Sequence, residues 1–212
     1  HTVIKRKLDA LLRFIKEKDH SAEGKTYVDS GTVMEKAWAR RAGLGWVGKN
    51  TIMNSREFGS WFFLGVLLLN IELDSTKPIK DYCGSCNRCI DACPTHALVA
   101  PYVLDARKCI SYLTIEHKGD VVASLSEKFD NWIYGCDICQ DVCPWNKKFA
   151  AMTAIDEFIP HDSIINMNLS DFQSITLKDF NILFRKSPIK RINHQIFLEN
   201  IRYVQSNIQK GK

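Results

Sequence analysis

Cys83-Gly84-Ser85-Cys86-Asn87-Arg88-Cys89-Ile90-Asp91-Ala92-Cys93-Pro94 sets four cysteines at spacings of two, two and three residues. A second run, Cys136-Asp137-Ile138-Cys139-Gln140-Asp141-Val142-Cys143-Pro144, supplies three more, and Cys109 stands alone between the runs. Thiols this dense serve as disulfides, as a zinc site or as ligands to a larger metal group. Disulfides need an oxidising compartment, and C-x₂-C runs in a chain of intracellular character favour metal. Zinc more often takes two separated pairs than four cysteines packed into one short run.

The first run has the C-x₂-C-x₂-C-x₃-C-P spacing of bacterial ferredoxins. Three thiolates two residues apart wrap one iron–sulfur cube, and the short turn after them aims the fourth thiolate at a different cube. Cys83, Cys86 and Cys89 are therefore expected on one [4Fe–4S] cluster, completed by Cys143. Cys93 is expected to cross to a second cluster with Cys136 and Cys139. That second set is one ligand short, and Cys109 is the cysteine left to fill it. The eight cysteines then divide into two sets of four. Two clusters imply a reducing compartment, so a cytoplasmic protein is expected.

The rest of the composition narrows the class without naming a function. Hydrophobic residues make up 45% of the 212 and charged residues 25%, the balance of a soluble globular chain with ample core. The longest apolar run, Trp61 to Leu69, is too short to cross a bilayer, and no membrane association is expected. No N-terminal signal pattern is visible, although the chain begins at His1 rather than Met. A net charge of +5 permits a polyanionic partner without requiring one.

Three blocks follow from the patterning. Residues 1–78 open with a basic amphipathic stretch, Ile4, Leu8, Leu11, Leu12 and Ile15 falling at helical spacing. Lys25 to Asp29 reads as a short strand, and Thr32-Val33-Met34-Glu35 as a capping box that starts a helix running to Ala42. Trp61 to Leu69 reads as a strand buried on both faces, which makes this block α/β with a sheet. Residues 79–150 hold every cysteine, with a helix expected between Ile110 and Trp132 to pack over the clusters. Residues 151–212 are helical: Phe180, Leu183 and Phe184 mark one helix, and Ile189, Ile192, Ile196, Phe197, Ile201 and Val204 another.

Gly43-Leu44-Gly45-Trp46-Val47-Gly48 matches G-x-G-x-x-G, the dinucleotide fingerprint. That fingerprint needs a strand before it and a helix after it. Here a helix comes first, so the glycines are expected to form a tight turn or to let backbone pass close to something large and flat.

Tyr27-Val28-Asp29-Ser30, Glu35-Lys36-Ala37-Trp38 and Ala42 through Thr51, followed by the two cysteine runs, resemble the epoxyqueuosine reductase family. The resemblance runs from His1 to about Tyr203 and includes Leu183-Phe184-Arg185-Lys186-Ser187 and Lys190-Arg191. It implies the C-terminal part of such an enzyme: part of an α/β (α+β) cobalamin-binding domain, a ferredoxin-like insert with two [4Fe–4S] clusters, and a helical C-terminal region. Residues 1–78 would belong to the cobalamin-binding catalytic domain, 79–150 to the cluster domain and 151–212 to the helical region. The implied activity reduces epoxyqueuosine to queuosine in tRNA with cobalamin and both clusters, fed by an unidentified electron donor. A monomer is expected.

Losing the epoxide oxygen as water takes two electrons and two protons, so a positioned general acid is required. Asp29 occupies the position of the family's proton donor; the alternative is that it merely precedes or caps the helix after it. The resemblance sets His1, Trp46, Lys49 and Asn50 near the cofactor, against the alternatives of core packing for Trp46 and a structural turn for Lys49 and Asn50. Lys147, Lys148, Arg185, Lys186, Lys190 and Arg191 are the basic residues suited to tRNA phosphates, or else a solvated surface.

Three other readings compete: a cobalamin-dependent reductive dehalogenase-like enzyme, a two-cluster electron-transfer module without catalysis, and a zinc-bound RNA-binding module. The electron-transfer module would leave Asp29 and the glycine segment unexplained.

Overall fold

A computed structural model describes residues 1–211 of the chain. In chain order the first elements are α1 (Thr2–Lys18), β1 (Gly24–Tyr27), α2 (Glu35–Arg41), β2 (Trp46–Val47), β3 (Met53–Asn54) and β4 (Val66–Leu69). Next come α3 (Arg88–Asp91), β5 (Leu98–Ala100), β6 (Val103–Leu104), α4 (Ile110–Ile115), α5 (Ala123–Ser126), α6 (Ile138–Asp141) and α7 (Pro144–Phe149). The last are α8 (Asp162–Ile165), α9 (Leu169–Gln173), α10 (Leu177–Leu183) and α11 (His194–Gln209). The strands form three antiparallel pairs, β1–β4, β2–β3 and β5–β6.

Two compact units result: His1–Cys86 with Cys143–Met152, and Asn87–Val142 with Thr153–Lys212. This grouping differs from the three expected blocks, because the cysteine-rich stretch is shared between the units. Tyr82, just before Cys83, and Trp145, just after Cys143, both pack on Trp46. Their aromatic contact draws both ends of that stretch into the first unit.

In the first unit α1 lays its apolar stripe over β1–β4. Gly24 lies against Leu12 and Gly65 against Ile4 and Leu8, so closely that a side chain at either glycine would collide. A tripartite polar tie fixes the docking: Lys5 donates to Asp9 at 2.7 Å and to Thr26 on β1 at 2.6 Å, and Thr26 donates to Asp9 at 2.7 Å. The expected strand from Trp61 to Leu69 shrinks to Val66–Leu69. It pairs with β1 alone, and Phe63 is 71% exposed and Leu68 49%. A two-stranded pair has a single face covered by α1, so burial on both faces does not occur and the sheet is antiparallel. The capping box is also absent: α2 begins at Glu35 with Met34 as its unbonded N-cap, which leaves Thr32 too far upstream to reach the first-turn amides.

The second unit has two apolar clusters. Ile175, Phe180, Phe184, Ile192, Phe197 and Ile201 form one, and Ile110, Leu113, Val121 and Phe129 the other. The last expected helix is cut in two. Pro188–Arg191 makes a 3₁₀ turn, and the Asn193 side chain then caps α11 by accepting from Ile196 N–H. From α11, Asn200 donates to the carbonyls of Thr114 and Ile133 at 2.9 and 3.0 Å, and Asn207 donates to that of Ser126 at 2.9 Å. The Tyr203 hydroxyl accepts from Val121 N–H at 3.1 Å. These residues fall on one helix face and fasten α11 to the segment between the two cysteine runs. That segment holds two short helices, α4 and α5, in place of one. No described helix is long and apolar enough to cross a membrane.

Candidate functional site

In the first unit the glycine segment forms the hairpin β2–β3. Trp46 stands opposite Asn54, and Val47 opposite Met53. Gly48 N–H donates to Ile52 C=O and Thr51 N–H to Gly48 C=O, both at 2.8 Å, while the Asn50 side chain accepts from Ile52 N–H at 3.2 Å. Thr51 takes the left-handed φ of 65° that closes the turn. At Gly45 a β-carbon would run into the carbonyl of Asn54, so only glycine fits there. The G-x-G-x-x-G string is therefore a hairpin, not a phosphate-binding loop.

Trp46 is 1% exposed and sits edge-on to Tyr82 and Trp145, with centroids 5.2 and 5.0 Å away. Trp145 Nε1 donates to Tyr82 C=O at 3.4 Å. Burial pushes the Cys83 thiol up; the Trp46 indole N–H and the Lys49 backbone N–H work against that shift. The Cys143 thiol donates to Asn54 Oδ1 at 3.8 Å. The helix after Cys143 is clamped by Asn146, whose Oδ1 accepts from Ser60 N–H at 2.5 Å and whose Nδ2 donates to Ser60 Oγ at 2.8 Å. Asn146 carried no sequence signal beyond its place directly after Cys143-Pro144-Trp145.

Of the residues expected at a cofactor, Trp46, Lys49 and Asn50 are all under 9% exposed, enclosed by their own chain. Trp46 packs against Tyr82 and Trp145, and the Asn50 side chain supports the turn. His1 and Asp29 stay open. Their side chains are about 60% exposed, and His1 Nε2 lies 3.2 Å from Asp29 Oδ2. Asp29 adopts a left-handed φ of 60° in the loop between β1 and α2, a conformation Asp tolerates better than most residues. Lys147 and Lys148 are exposed on α7, with Lys148 over the Phe149 ring and lining a groove of about 690 Å³ with Arg56, Glu57 and Trp145.

In the second unit Cys93 lies in a turn rich in N–H donors. Burial alone would raise its thiol, but the N–H groups of Leu98, Ala97 and Thr95 and the Thr95 hydroxyl bring it below the usual thiol range. Ala97 N–H reaches the Cys93 sulfur at 3.3 Å. Cys109 is the N-cap of α4, and Cys136 packs on the apolar cluster to which α4 contributes. Burial pushes the Cys136 thiol up to about 11, and Cys109 and Cys93 stand near enough to add to that rise. The Thr114 hydroxyl accepts from Gly135 N–H at 3.0 Å, pinning the residue before Cys136 to α4. Arg185 and Lys186 are exposed just past α10, while Arg191 pairs with Glu116 at 2.6 Å and Lys190 donates to Asn181 at 2.6 Å.

Residues 82–146, which contain all eight cysteines, match the 4Fe-4S double cluster binding domain. Across 210 residues the chain is 42% identical to the epoxyqueuosine reductase of Synechocystis sp., a match covering 99% of this chain and 72% of that protein. The chain belongs to the epoxyqueuosine reductase family. A crystal structure of epoxyqueuosine reductase with an epoxyqueuosine-modified tRNA-Tyr stem loop matches with a TM-score of 0.91 at 36% identity, covering 99% of this chain and 55% of that one. An epoxyqueuosine reductase structure from Bacillus subtilis, with its catalytic aspartate loop swung out of the active site, matches with a TM-score of 0.90 at 35% identity and the same coverage. The chain thus spans about half the length of these solved epoxyqueuosine reductases. Membership of this family sets aside the dehalogenase-like and zinc-module readings.

Proposed function

We propose that this chain carries electrons and a proton for an epoxyqueuosine reductase that converts epoxyqueuosine in tRNA to queuosine in the cytoplasm. The observation that supports it most is the continuity of the family match: 42% identity over 99% of the chain, with the double-cluster domain inside it.

One [4Fe–4S] cluster is assigned to Cys83, Cys86, Cys89 and Cys143, the other to Cys93, Cys109, Cys136 and Cys139, on the strength of their spacing. Thiols with the character of Cys136 suit such a group. A half-buried thiol that neighbouring cysteines make harder to ionise gives up its proton when iron supplies positive charge. Held by these cysteines, such clusters would supply one-electron transfer from a low-potential donor. Two carriers match a reaction that removes the epoxide oxygen as water with two electrons and two protons.

Asp29 is assigned as the proton donor, holding its proton on a carboxyl oxygen. His1, 3.2 Å away, orients that carboxyl and can return its proton. A substrate lying over Asp29 would bury the carboxyl. Cobalamin is assigned on family resemblance. Trp46, Lys49 and Asn50 do not suit a corrin face as they stand, because their own chain encloses them. Exposed Lys147, Lys148, Arg185, Lys186, Lys190 and Arg191 are assigned to tRNA phosphates.

Anaerobic reconstitution of the full-length protein tests the whole reading. About eight irons, one corrinoid and turnover of epoxyqueuosine-tRNA are expected. Iron without corrinoid or turnover would reduce the protein to an electron carrier, and zinc in place of iron would overturn the cluster assignment. Asp29→Asn should keep iron and corrinoid yet lose turnover; a variant working at the parent rate would remove Asp29 from its role.

A further inference from the structure

The hairpin β2–β3 holds one polar group that its own fold leaves unused. Trp46 is wedged between Tyr82 and Trp145, which fixes its ring plane and therefore the direction of its N–H. That Nε1 is buried and meets no conventional hydrogen-bond partner. A buried donor left this way carries its full desolvation cost unless an acceptor arrives. The two rings that fix it belong to Tyr82, the residue before Cys83, and Trp145, two residues after Cys143, and the indole works against the rise that burial causes in the Cys83 thiol. Opposite on the hairpin, Asn54 commits its Nδ2 to Ile52 C=O at 2.9 Å and turns its oxygen toward Cys143.

We propose that the Trp46 indole N–H is a redox-tuning donor to the cluster carried by Cys83 and Cys143, raising that cluster's reduction potential. The inference rests on the two-cluster reading above. Reduction adds one electron from a low-potential one-electron donor, with no bond broken and no proton moved. The added charge spreads onto the cluster and cysteine sulfurs, so an N–H aimed at a sulfur stabilises the reduced state more than the oxidised one. Cys93 of the other set draws its donors from its own turn, whereas Cys83 receives this one from a separate hairpin. One cluster can therefore be tuned without disturbing the other.

The test is an anaerobic redox titration of the full-length protein followed by electron paramagnetic resonance. Trp46→Phe removes the N–H and keeps an aromatic ring; 3-benzothienylalanine at position 46 replaces the N–H with sulfur at nearly constant shape. Both should retain about eight irons. One midpoint should fall while the other stays, by a roughly tenfold loss in the reduction equilibrium, or about 59 mV for one electron. Indole-¹⁵N tryptophan should give nitrogen coupling to the reduced cluster in the parent, and Trp46→Phe should abolish it. Midpoints that stay put in a variant with full iron overturn the proposal, as does an equal fall in both. If Trp46→Phe sheds a cluster, the isosteric variant decides by the same criterion. A parent protein that takes up no clusters defeats the two-cluster reading itself, and this proposal with it.

Discussion

Asn200 offers the most direct measure of how α11 supports the second unit. Its side chain is 2% exposed and its Nδ2 satisfies two carbonyls, those of Thr114 and Ile133. Asn200→Ala strands both acceptors in a buried place. Each lost hydrogen bond with a stranded partner costs about 1–3 kcal/mol, so the pair should cost about 2–6 kcal/mol. Asn207, equally buried, makes a single such bond to Ser126 C=O, and Asn207→Ala should cost about half as much. With a urea slope of about 2–3 kcal/mol/M for a chain of this size, the Asn200 variant should lose roughly 0.7–3 M in midpoint. The assay is urea unfolding under anaerobic conditions, followed by far-ultraviolet circular dichroism at matched iron content. An Asn200→Ala midpoint within about 0.3 M of the parent, or one that falls less than that of Asn207→Ala, would refute the clamp.

Cys109→Ala should leave about four of eight irons, and full retention would refute the ligand partition. Asn146→Ala, which releases the Ser60 clamp beside Cys143, should loosen the cluster assigned to Cys143 and spare the one assigned to Cys109; chelator-driven iron release showing two phases, with one accelerated, is the expected signature. The Asp9 carboxyl, held down by hydrogen bonds from Lys5 and Thr26, should titrate below its ordinary value of 3.8 in an NMR titration. Because its folded value is depressed, its tie to α1 and β1 is intact above the unfolded value and lost as pH falls through the folded one. A carboxyl titrating at or above the ordinary value would contradict that tie. Arg185→Ala with Lys186→Ala should weaken tRNA binding and flatten its salt dependence by about two phosphate contacts. Arg191→Ala should do less, since Arg191 already pairs with Glu116; filter binding across a salt series checks the ranking.

The parts of this protein legible in its sequence are those written in local spacing. Cysteines two and three residues apart report metal ligation with no knowledge of the rest of the chain, and the stripe of α1 reports the face laid on β1 and β4. What the sequence hid depends on partners far along the chain. The run from Trp61 to Leu69 looks like a doubly buried strand because continuous apolar patterning has that meaning inside a layered sheet. Here a single neighbour, β1, leaves Phe63 and Leu68 exposed. Asn146 and Asn200 each act on residues 86 positions away, and an asparagine within a helix shows no periodicity that would reveal a clamp. For Trp46 the sequence leaves corrin packing and core filling both open; in the structure its ring packs against Tyr82 and Trp145, and its buried indole N–H is what remains to be used.

The two cysteine neighbourhoods are secured by different physical means, which bears on how they can respond to change. Around Cys83 and Cys143 the support is aromatic: three rings packed edge to edge, with Asn146 as the polar pin. Such a cluster of rings holds its geometry through area and shape, and it leaves one indole N–H free to act on sulfur. Around Cys109 and Cys136 the support is amide and hydroxyl: Thr114, Asn200, Tyr203 and Asn207 each satisfy a named backbone group. A network of that kind is directional and intolerant of a missing member. Substitution in the aromatic corner should thus shift a potential before it costs a cluster, whereas substitution in the amide network should cost stability before it shifts a potential.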